Sequence, residues 1–341
     1  MSVPAADDLQ LVTIGHAIVD VLAHSGDAFL ADHALIKGKM ELVDEARAVP
    51  IYSAMAGATV ASGGDLVELS GGSAANTAVV AAMLGARTGF IGKVRDDALG
   101  HTFAHDMEHV GVRFSTPMAS SEESATGRCL INVTPDAERT MCTFLGAARG
   151  LRVPDMDSSA LSSAKVTYVE GYLWDEPHAH EALEVAIERV HAAGRLFSFT
   201  LSDSFLVDRF RNEFLDLCAE DIDILFANEL EICSLFETDS LDVATSRIAD
   251  LCKIATITMG ARGSLVVSGP KIIEVDASPV HRVVDTTGAG DAYAGGFLYG
   301  FVTGHSLRKC AAIGNVAAGE VIGRIGARPS KDLTQLVTHI E

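Results

Sequence analysis

Short apolar runs of strand-forming residues alternate with longer helical runs along most of this 341-residue chain. The predicted strands are Val12–Gly15, Thr88–Gly92, Val166–Glu170, Leu196–Leu201, Ile224–Ala227 and Ala255–Met259. The predicted helices are Ser73–Leu84, Ala98–His109, His178–Ala193, Ser240–Cys252, Gly290–Val302 and Ser306–Ile322. Several strand runs are apolar throughout, as burial on both faces requires. The alternation predicts βαβ units and an α/β fold with a mainly parallel sheet covered by helices.

Two segments do not follow this alternation. The stretch from Val21 to Ser70 is too long for a simple crossover, and residues 125–145 hold two strand-like runs joined by Pro135-Asp136-Ala137-Glu138, which predicts a hairpin. We therefore expect a single unit over residues 1–341 with an inserted β-rich lid. The lid is expected to come from about 17–65 and 120–148, and the large α/β core from the rest.

The charge and cysteine content exclude several classes of protein. A formal net charge of −20 argues against nucleic acid or an anionic membrane as partner, although a small nucleotide stays possible. No apolar run approaches the roughly 20 residues that span a bilayer, and the first residues lack a signal-peptide pattern. Six cysteines lie far apart without a CxxC pair, which predicts buried free thiols and a reducing, cytoplasmic location.

The run Asp285-Thr286-Thr287-Gly288-Ala289-Gly290-Asp291 stands where a helix is predicted to begin. A helix N-terminus carries unpaired N–H groups and partial positive charge, and glycines let the backbone approach a phosphate closely. An acid repels phosphate, so Asp291 is predicted to be a base that deprotonates an attacking hydroxyl. The alternative is a tight turn with an Asp that favours the helix dipole.

A second glycine turn, Gly71-Gly72-Ser73, precedes Asn76 and a helix of small residues. Ser73 could be an N-cap only, or this backbone could approach a hydroxylated ligand with Asn76 hydrogen bonding to it. Asp20 and His16 follow the first strand, and ligands of open α/β sheets bind at carboxyl ends of strands. The P-loop and protein-kinase motifs are absent from the sequence.

These two runs resemble the paired signatures of the PfkB (ribokinase-like) carbohydrate and nucleoside kinases. The resemblance implies a three-layer α/β/α sandwich with a small β-rich lid. It implies that Asp291 is the catalytic base, that the amides of Gly288, Ala289 and Gly290 form an anion hole, and that Asp20, Gly72 and Asn76 hold a sugar. Many relatives carry Asn where His16 stands, so the contact made by His16 is open.

The resemblance also implies a phosphate-donor side. Asn228 and Glu231 have the spacing of a helix-capping pair, and the family uses such a pair to order Mg²⁺ and its waters; both interpretations can hold together. Arg139 is either a solvated strand charge or a group that reaches the transferred phosphate. The remaining nucleotide-side or cation residues implied are Gly260, Arg262, Gly263, Thr287 and Asp285, the last near a monovalent cation such as K⁺.

Several segments resemble the adenosine kinase branch of the family, among them residues 136–140, 168–172, 201–205 and 223–229. By that likeness an apolar slot for a purine is lined by Met40, Ile131, Tyr172 and Leu173. The expected reaction is transfer from MgATP to the 5′-hydroxyl of adenosine, a step of purine salvage. Another purine nucleoside, a ribose- or fructose-type sugar, or a non-catalytic scaffold are the alternatives. Monomer and homodimer both stay open.

Overall fold

The computed structural model describes residues 3–61, 66–136, 138–330 and 332–340. Two β-sheets contain its strands. The larger sheet holds β1 (Leu11–Ile14), β5 (Thr88–Ile91), β6 (Arg113–Phe114), β9 (Val166–Glu170), β10 (Leu196–Thr200), β11 (Ile224–Asn228), β12 (Ile254–Thr258), β13 (Ser264–Ser268) and β14 (Lys271–Val275). The smaller sheet holds β2 (Ile18–His24), β3 (Met40–Leu42), β4 (Val67–Gly71), β7 (Gly127–Val133) and β8 (Arg139–Phe144).

The helices of the described residues cover both faces of the larger sheet or one face of the smaller. They are α1 (Asp27–Asp32), α2 (Glu45–Ala61), α3 (Ser73–Met83), α4 (Ala98–His109), α5 (Ser158–Ser163), α6 (Pro177–Ala192), α7 (Ser204–Glu220), α8 (Glu229–Leu235), α9 (Leu241–Ala249), α10 (Ala289–Val302), α11 (Leu307–Ile322) and α12 (Leu333–Val337). None of the described helices is long and apolar enough to cross a membrane.

The larger sheet has the order β14-β13-β12-β11-β10-β9-β1-β5-β6. Its strands from β12 to β6 pair in parallel, and β13 and β14 add an antiparallel edge. Strands such as Leu11–Ile14 and Val166–Glu170 are buried along their whole length, which explains their continuous apolar runs. The α/β prediction is confirmed, and the β13–β14 edge was not predicted.

The smaller sheet has the order β3-β8-β7-β2-β4 and includes the predicted hairpin as β7 and β8. Its strands come from the two segments expected to form a lid, except that β4 begins at Val67, beyond the expected end at residue 65. Residues 62–65 and 137 of those segments lie outside the described residues. The proposal that this sheet moves as a lid rests on the family resemblance.

The two faces of the smaller sheet differ in their surroundings. Val19 and Val21 point to one face, where they are buried with Ile51 and Met55 of α2. Asp20 points to the opposite face, because side chains alternate along a strand. That opposite face lies beside the segment before α10, because Arg139 on β8 forms an ion pair with Asp285.

The cysteines of the chain are free. Four are buried as expected, whereas Cys129 and Cys233 are only half-buried.

Candidate active site

The loop before α10 has the backbone geometry that an anion site requires. Gly288 caps the helix in the left-handed conformation with φ of 76°, and a Cβ there would lie 2.7 Å from the Ala327 backbone. Any other residue at this position would be strained and would clash. A Cβ at Gly290 would meet no atom within 4 Å apart from its own helix, so the space beside this residue is open. The Ala289 N–H donates to the Thr286 carbonyl (3.2 Å), which leaves it engaged within the turn.

Asp291 lies in the first turn of α10 and faces the start of α3. Its Oδ1 accepts from the Ser73 hydroxyl (2.7 Å) and its Oδ2 from the Asn76 amide (3.0 Å). Burial raises the pKa of Asp291 to about 6, although these two hydrogen bonds lower it. A carboxyl with such a pKa is ionised at neutral pH and can still accept a proton readily, as a general base must.

The two helices approach closely because α10 presents glycine to α3. A Cβ at Gly295 would lie 2.6 Å from the Thr77 carbonyl and 2.8 Å from Val80. This contact brings Ser73 and Asn76 within hydrogen-bond distance of a carboxylate more than 200 residues away in sequence. The structure thus joins the two sequence motifs in one site.

Glu170 is a member of this site that sequence reasoning missed. Its Oε1 accepts from the His16 backbone N–H (2.8 Å) and lies 2.9 Å from His16 Nδ1, while its Oε2 accepts from the Ala74 N–H (2.9 Å). Glu170 is only 1% exposed. A carboxylate that ends a fully buried strand was the available signal, because such a group needs partners.

His16 therefore has a structural role at the sheet edge, since Glu170 binds both its backbone and its ring. Its Nε2 is buried and has no hydrogen-bond partner in the described structure. The His16 carbonyl also lies against Gly72, where a Cβ would clash with it. The turn at Gly72 is consequently fixed against the first strand.

Asp20 extends from β2 toward the same space. Burial raises the pKa of Asp20 to about 6, while the positive charges of Arg328 and Arg139 lower it and Asp291 raises it. Gly71 lies against this carboxylate, since a Cβ there would be 2.8 Å from the Asp20 Cγ. Asp20 and Asp291 thus form two neighbouring acids that each affect the other's charge.

Arg139 connects the smaller sheet to the loop before α10. Its guanidinium forms an ion pair with the Asp285 carboxylate and donates to the Thr287 hydroxyl (3.2 Å). Burial tends to raise the pKa of Asp285, but hydrogen bonds from Gly326 and Thr287 and the charge of Arg139 hold it below its ordinary value. Arg139 thus supplies positive charge at the position where sequence reasoning expected a monovalent cation.

Arg328 is a second residue that sequence reasoning missed. Its Nε donates to the Asn76 Oδ1 (2.9 Å) and its Nη1 to the Ser70 hydroxyl. It follows the last predicted helix, in a segment without a recognisable pattern, so only the structure could place it.

Asn228 and Glu231 form the expected capping box at the start of α8. Asn228 Oδ1 accepts from the Glu231 N–H (2.8 Å), and Glu231 Oε2 accepts from the Asn228 N–H (2.9 Å). Burial raises the pKa of Glu231 to about 7, with Asp203 contributing in the same direction. The described residues hold no cluster of three His, Cys, Asp or Glu side chains that could bind a metal ion directly.

The four residues expected to line a purine slot do not form one surface. Met40 and Ile131 both flank Met141 in the smaller sheet, on the face of Asp20. Leu173 is fully buried in an apolar core beside the larger sheet, with Val12 and Val169. Tyr172 packs against the same apolar core, and its hydroxyl donates to the Ser202 carbonyl (3.4 Å).

The turn expected on the nucleotide side joins β12 to β13. Arg262 is exposed and pairs with Glu229 of α8. Gly263 has φ of 87° and packs against Asp276 and Ala277. Gly260 lies at the exposed start of this turn.

Ser278, the residue after Ala277, lines a cavity of about 850 Å³. This cavity lies between the segment 278–284 and the residues from α11 onward, and its lining includes His281, Arg282 and Arg324. Val284 and Arg324 also line the cavity. Because they are close in sequence to Asp285 and Gly326, which are hydrogen-bonded to each other, the cavity lies beside the loop before α10.

Comparisons with known proteins agree with this fold. A family model described as pfkB family carbohydrate kinase matches residues 38–333. The chain is similar to the adenosine kinase of Sinorhizobium meliloti, with 46% identity, coverage of 96% of this chain and 98% of that one, and a TM-score of 0.86. It is also similar to a probable sugar kinase of Rhizobium etli, with 44% identity, coverage of 96% and 97%, and a TM-score of 0.86. Adenosine kinase 1 of Arabidopsis thaliana is 27% identical over 338 residues, covering 93% of this chain and 94% of that protein.

Proposed function

This chain belongs to the pfkB family of carbohydrate kinases and is a phosphotransferase that acts on an alcohol group, and we propose that its acceptor is the 5′-hydroxyl of adenosine. ATP is the co-substrate that the family implies. The similarity to the Sinorhizobium adenosine kinase supports the proposal, and the similarity to the Rhizobium sugar kinase keeps a sugar acceptor as the second candidate.

The observation that carries the proposal is the apolar face of the smaller sheet around Asp20. The cross-strand neighbour of Asp20 in β4 is Leu69, which is 51% exposed. Met40 and Leu42 on β3 are 53% and 63% exposed. A flat purine would cover part of this face, whereas a free sugar needs polar partners on most of its faces. Asp20 lies on β2, between Leu69 of β4 and the apolar side chains of β3, where it can accept hydrogen bonds from ribose hydroxyls.

The chemical step follows from the position of Asp291. The carboxylate takes the proton of the 5′-hydroxyl, whose oxygen attacks the γ-phosphorus of ATP, and the bond from that phosphorus to the β-phosphate oxygen breaks to release ADP. The start of α10 faces the transferred phosphate with its partial positive charge. Arg139 is near enough to this loop to turn from Asp285 toward the phosphate and offset its charge.

The cavity beside Asp285 is the proposed donor site, because it is large enough for a nucleotide and has basic residues in its lining. The residues present fit a magnesium ion held mostly by phosphate oxygens and water, since Glu231 and Asp203 bring negative charge near each other without forming a direct ligand cluster. When bound, the ion would neutralise charge on the phosphates. Glu231 would orient its waters while it caps α8.

The test is ADP release with MgATP and a panel of adenosine, inosine, guanosine, ribose and fructose. Adenosine should have the highest kcat/KM, at least about 100-fold above ribose because of the purine contact. Leu69→Ser should lower kcat/KM for adenosine about tenfold, since it removes apolar contact worth more than one methylene, and should leave ribose turnover unchanged. Ile272→Ser is the matched control, because Ile272 is also exposed (57%) but lies on β14.

A higher kcat/KM for ribose or fructose than for any nucleoside would favour the sugar kinase. Equal losses in Leu69→Ser for adenosine and ribose would refute the purine surface.

A further inference from the structure

We propose that Arg328 is a positioning residue of the phosphotransfer site, which orients the Asn76 amide toward Asp291 and balances the charge of the two acids that face the acceptor. The inference rests on the proposed role of Asp291 as base. Arg328 lies beyond α11 and reaches back to β4 and α3.

Each of the three guanidinium nitrogens of Arg328 has a partner, and the three partners lie on three different helices or strands. Nε donates to Asn76 on α3, Nη1 to Ser70 on β4, and Nη2 lies 3.9 Å from the Met107 sulfur on α4. The Ser70 backbone N–H in turn donates to Asp106 on α4 (2.9 Å). A planar fork can satisfy such diverging partners at once, whereas an ammonium group cannot.

The contact with Asn76 fixes which end of that amide faces the base. Because the Arg328 Nε donates to Oδ1 (2.9 Å), the Nδ2 group must point to the Asp291 Oδ2 (3.0 Å). A flipped amide would direct its oxygen at a carboxylate, and two acceptors repel each other. Arg328 therefore keeps a donor, rather than an acceptor, against the base.

The same guanidinium is a positive charge among acids. It favours the charged forms of Asp20 and Asp291 and is itself favoured by Asp20, Asp106 and Asp291. Burial lowers the pKa of Arg328 to about 10, which leaves it charged at neutral pH. Among the described residues, the polar and charged groups near Asp291 include Ser73, Asn76, Thr77, Tyr168, Glu170, Tyr172, Asp20 and Arg328.

Arg328→Gln keeps a polar side chain but removes the charge and the fork. We expect kcat to fall about 10- to 100-fold, because the base loses its oriented donor. The acidic limb of the kcat/KM profile should move to higher pH, since the lost cation no longer favours ionised Asp20 and Asp291. Arg209→Gln, which removes an exposed arginine paired with Asp175, is the control and should match the wild type.

A double-mutant cycle with Asn76→Ala separates positioning from general destabilisation. If Arg328 acts through Asn76, adding Arg328→Gln to Asn76→Ala should lower kcat by far less than it does in the wild type. If the loss of kcat in the double variant equals the product of the losses in the two single variants, the inference is overturned. A wild-type kcat and pH profile in Arg328→Gln would also overturn it.

Arg328→Lys serves if the glutamine variant does not fold. It keeps the charge but not the fork, so the acidic limb should stay at the wild-type pH while kcat falls about tenfold. Wild-type kcat in Arg328→Lys would refute the role of the fork. The proposed function is tested separately. Full turnover in Asp291→Asn would refute the assignment of Asp291 as the base. Full turnover in Arg328→Gln, together with an inactive Asp291→Asn, would refute only the role of Arg328.

Discussion

The pH dependence of the reaction tests the assignment of Asp291 most directly. An ordinary Asp has a pKa near 3.8, whereas burial among Glu170 and the two helices raises that of Asp291 to about 6. With a pKa of about 6, roughly one-tenth of the base is ionised at pH 5 and nearly all at pH 7.5. With an ordinary pKa, more than about nine-tenths would stay ionised at pH 5.

The expected result is therefore a drop in kcat/KM of about tenfold between pH 7.5 and 5 from Asp291 alone. Asp20 also has its pKa raised to about 6, and the two acids affect each other. If both must be ionised, the drop approaches about 100-fold with a limiting slope of two, and the apparent pKa values belong to the pair. Asp20→Asn should return the slope to one while it weakens binding of the acceptor.

The assay measures ADP by chromatography, which avoids coupling enzymes that fail in acid, at constant ionic strength and saturating MgATP. The profile of kcat/KM for the acceptor is the correct comparison, because it reports the site before the acceptor binds. Asp291→Asn should lower kcat at least about 100-fold and remove the contribution of Asp291 to the acidic limb, which leaves at most a slope of one from Asp20. A flat profile down to pH 5, or wild-type turnover in Asp291→Asn, would show that Asp291 is not the base.

Two further predictions separate structure from chemistry at the phosphate side. Gly288→Ala should lower the melting temperature by several degrees, because φ of 76° and the close Ala327 backbone exclude a Cβ. Gly290→Ala should melt at the same temperature as the wild type, but its kcat should fall at least about tenfold because the methyl group fills the space for the anion. Equal melting temperatures of the two variants would contradict this. Glu231→Gln should keep only one of the two hydrogen bonds that Asn228 donates to Glu231, and should require about fivefold more Mg²⁺ for half-maximal rate. Asn228→Ala should cost about 1 kcal/mol of stability by removing the N-cap. An unchanged Mg²⁺ requirement in Glu231→Gln would leave only the capping role.

The sequence predicted the parts of this protein whose signal is local. The buried parallel strands appear as continuous apolar runs, and the start of α10 is indicated by glycines, hydroxyls and an acid within seven residues. Ser73 and Asn76 were likewise found from one short run. Each of these features is set by backbone geometry or burial of a single element, which a one-dimensional pattern can express.

The features that sequence reasoning missed depend on partners far apart in the chain. Glu170 binds His16 and Ala74 across 154 and 96 residues, and Arg328 binds Asn76 across 252. Arg328 has no neighbouring motif, and the likeness of residues 168–172 to adenosine kinases assigns no role to Glu170. The burial of Leu173 was also missed. The packing of the helical turn after β9 decides which of the adjacent side chains, Tyr172 or Leu173, is fully buried, and the sequence does not show this packing.

The β13–β14 hairpin was missed for a different reason. The residues Ser268-Gly269-Pro270 stand between two runs of β-branched residues, which is a turn signal. The alternation of strands and helices before β13 predicts parallel strands only, so the antiparallel edge was not predicted.

The charges at the site imply that activity is lost in acid before the fold is. Asp20, Asp291 and Glu231 have pKa values raised to about 6, 6 and 7, so the folded state binds their protons more tightly than the unfolded state does. Their ionised forms destabilise the fold above those values, and protonation relieves that cost as the pH falls. Asp285 has the opposite sign, because its pKa is lowered; its stabilising contribution persists at pH 5 and is lost only below its ordinary value of 3.8. The melting temperature should therefore hold or rise between pH 7.5 and 5 while kcat/KM falls, and the loss of activity should reverse on return to pH 7.5.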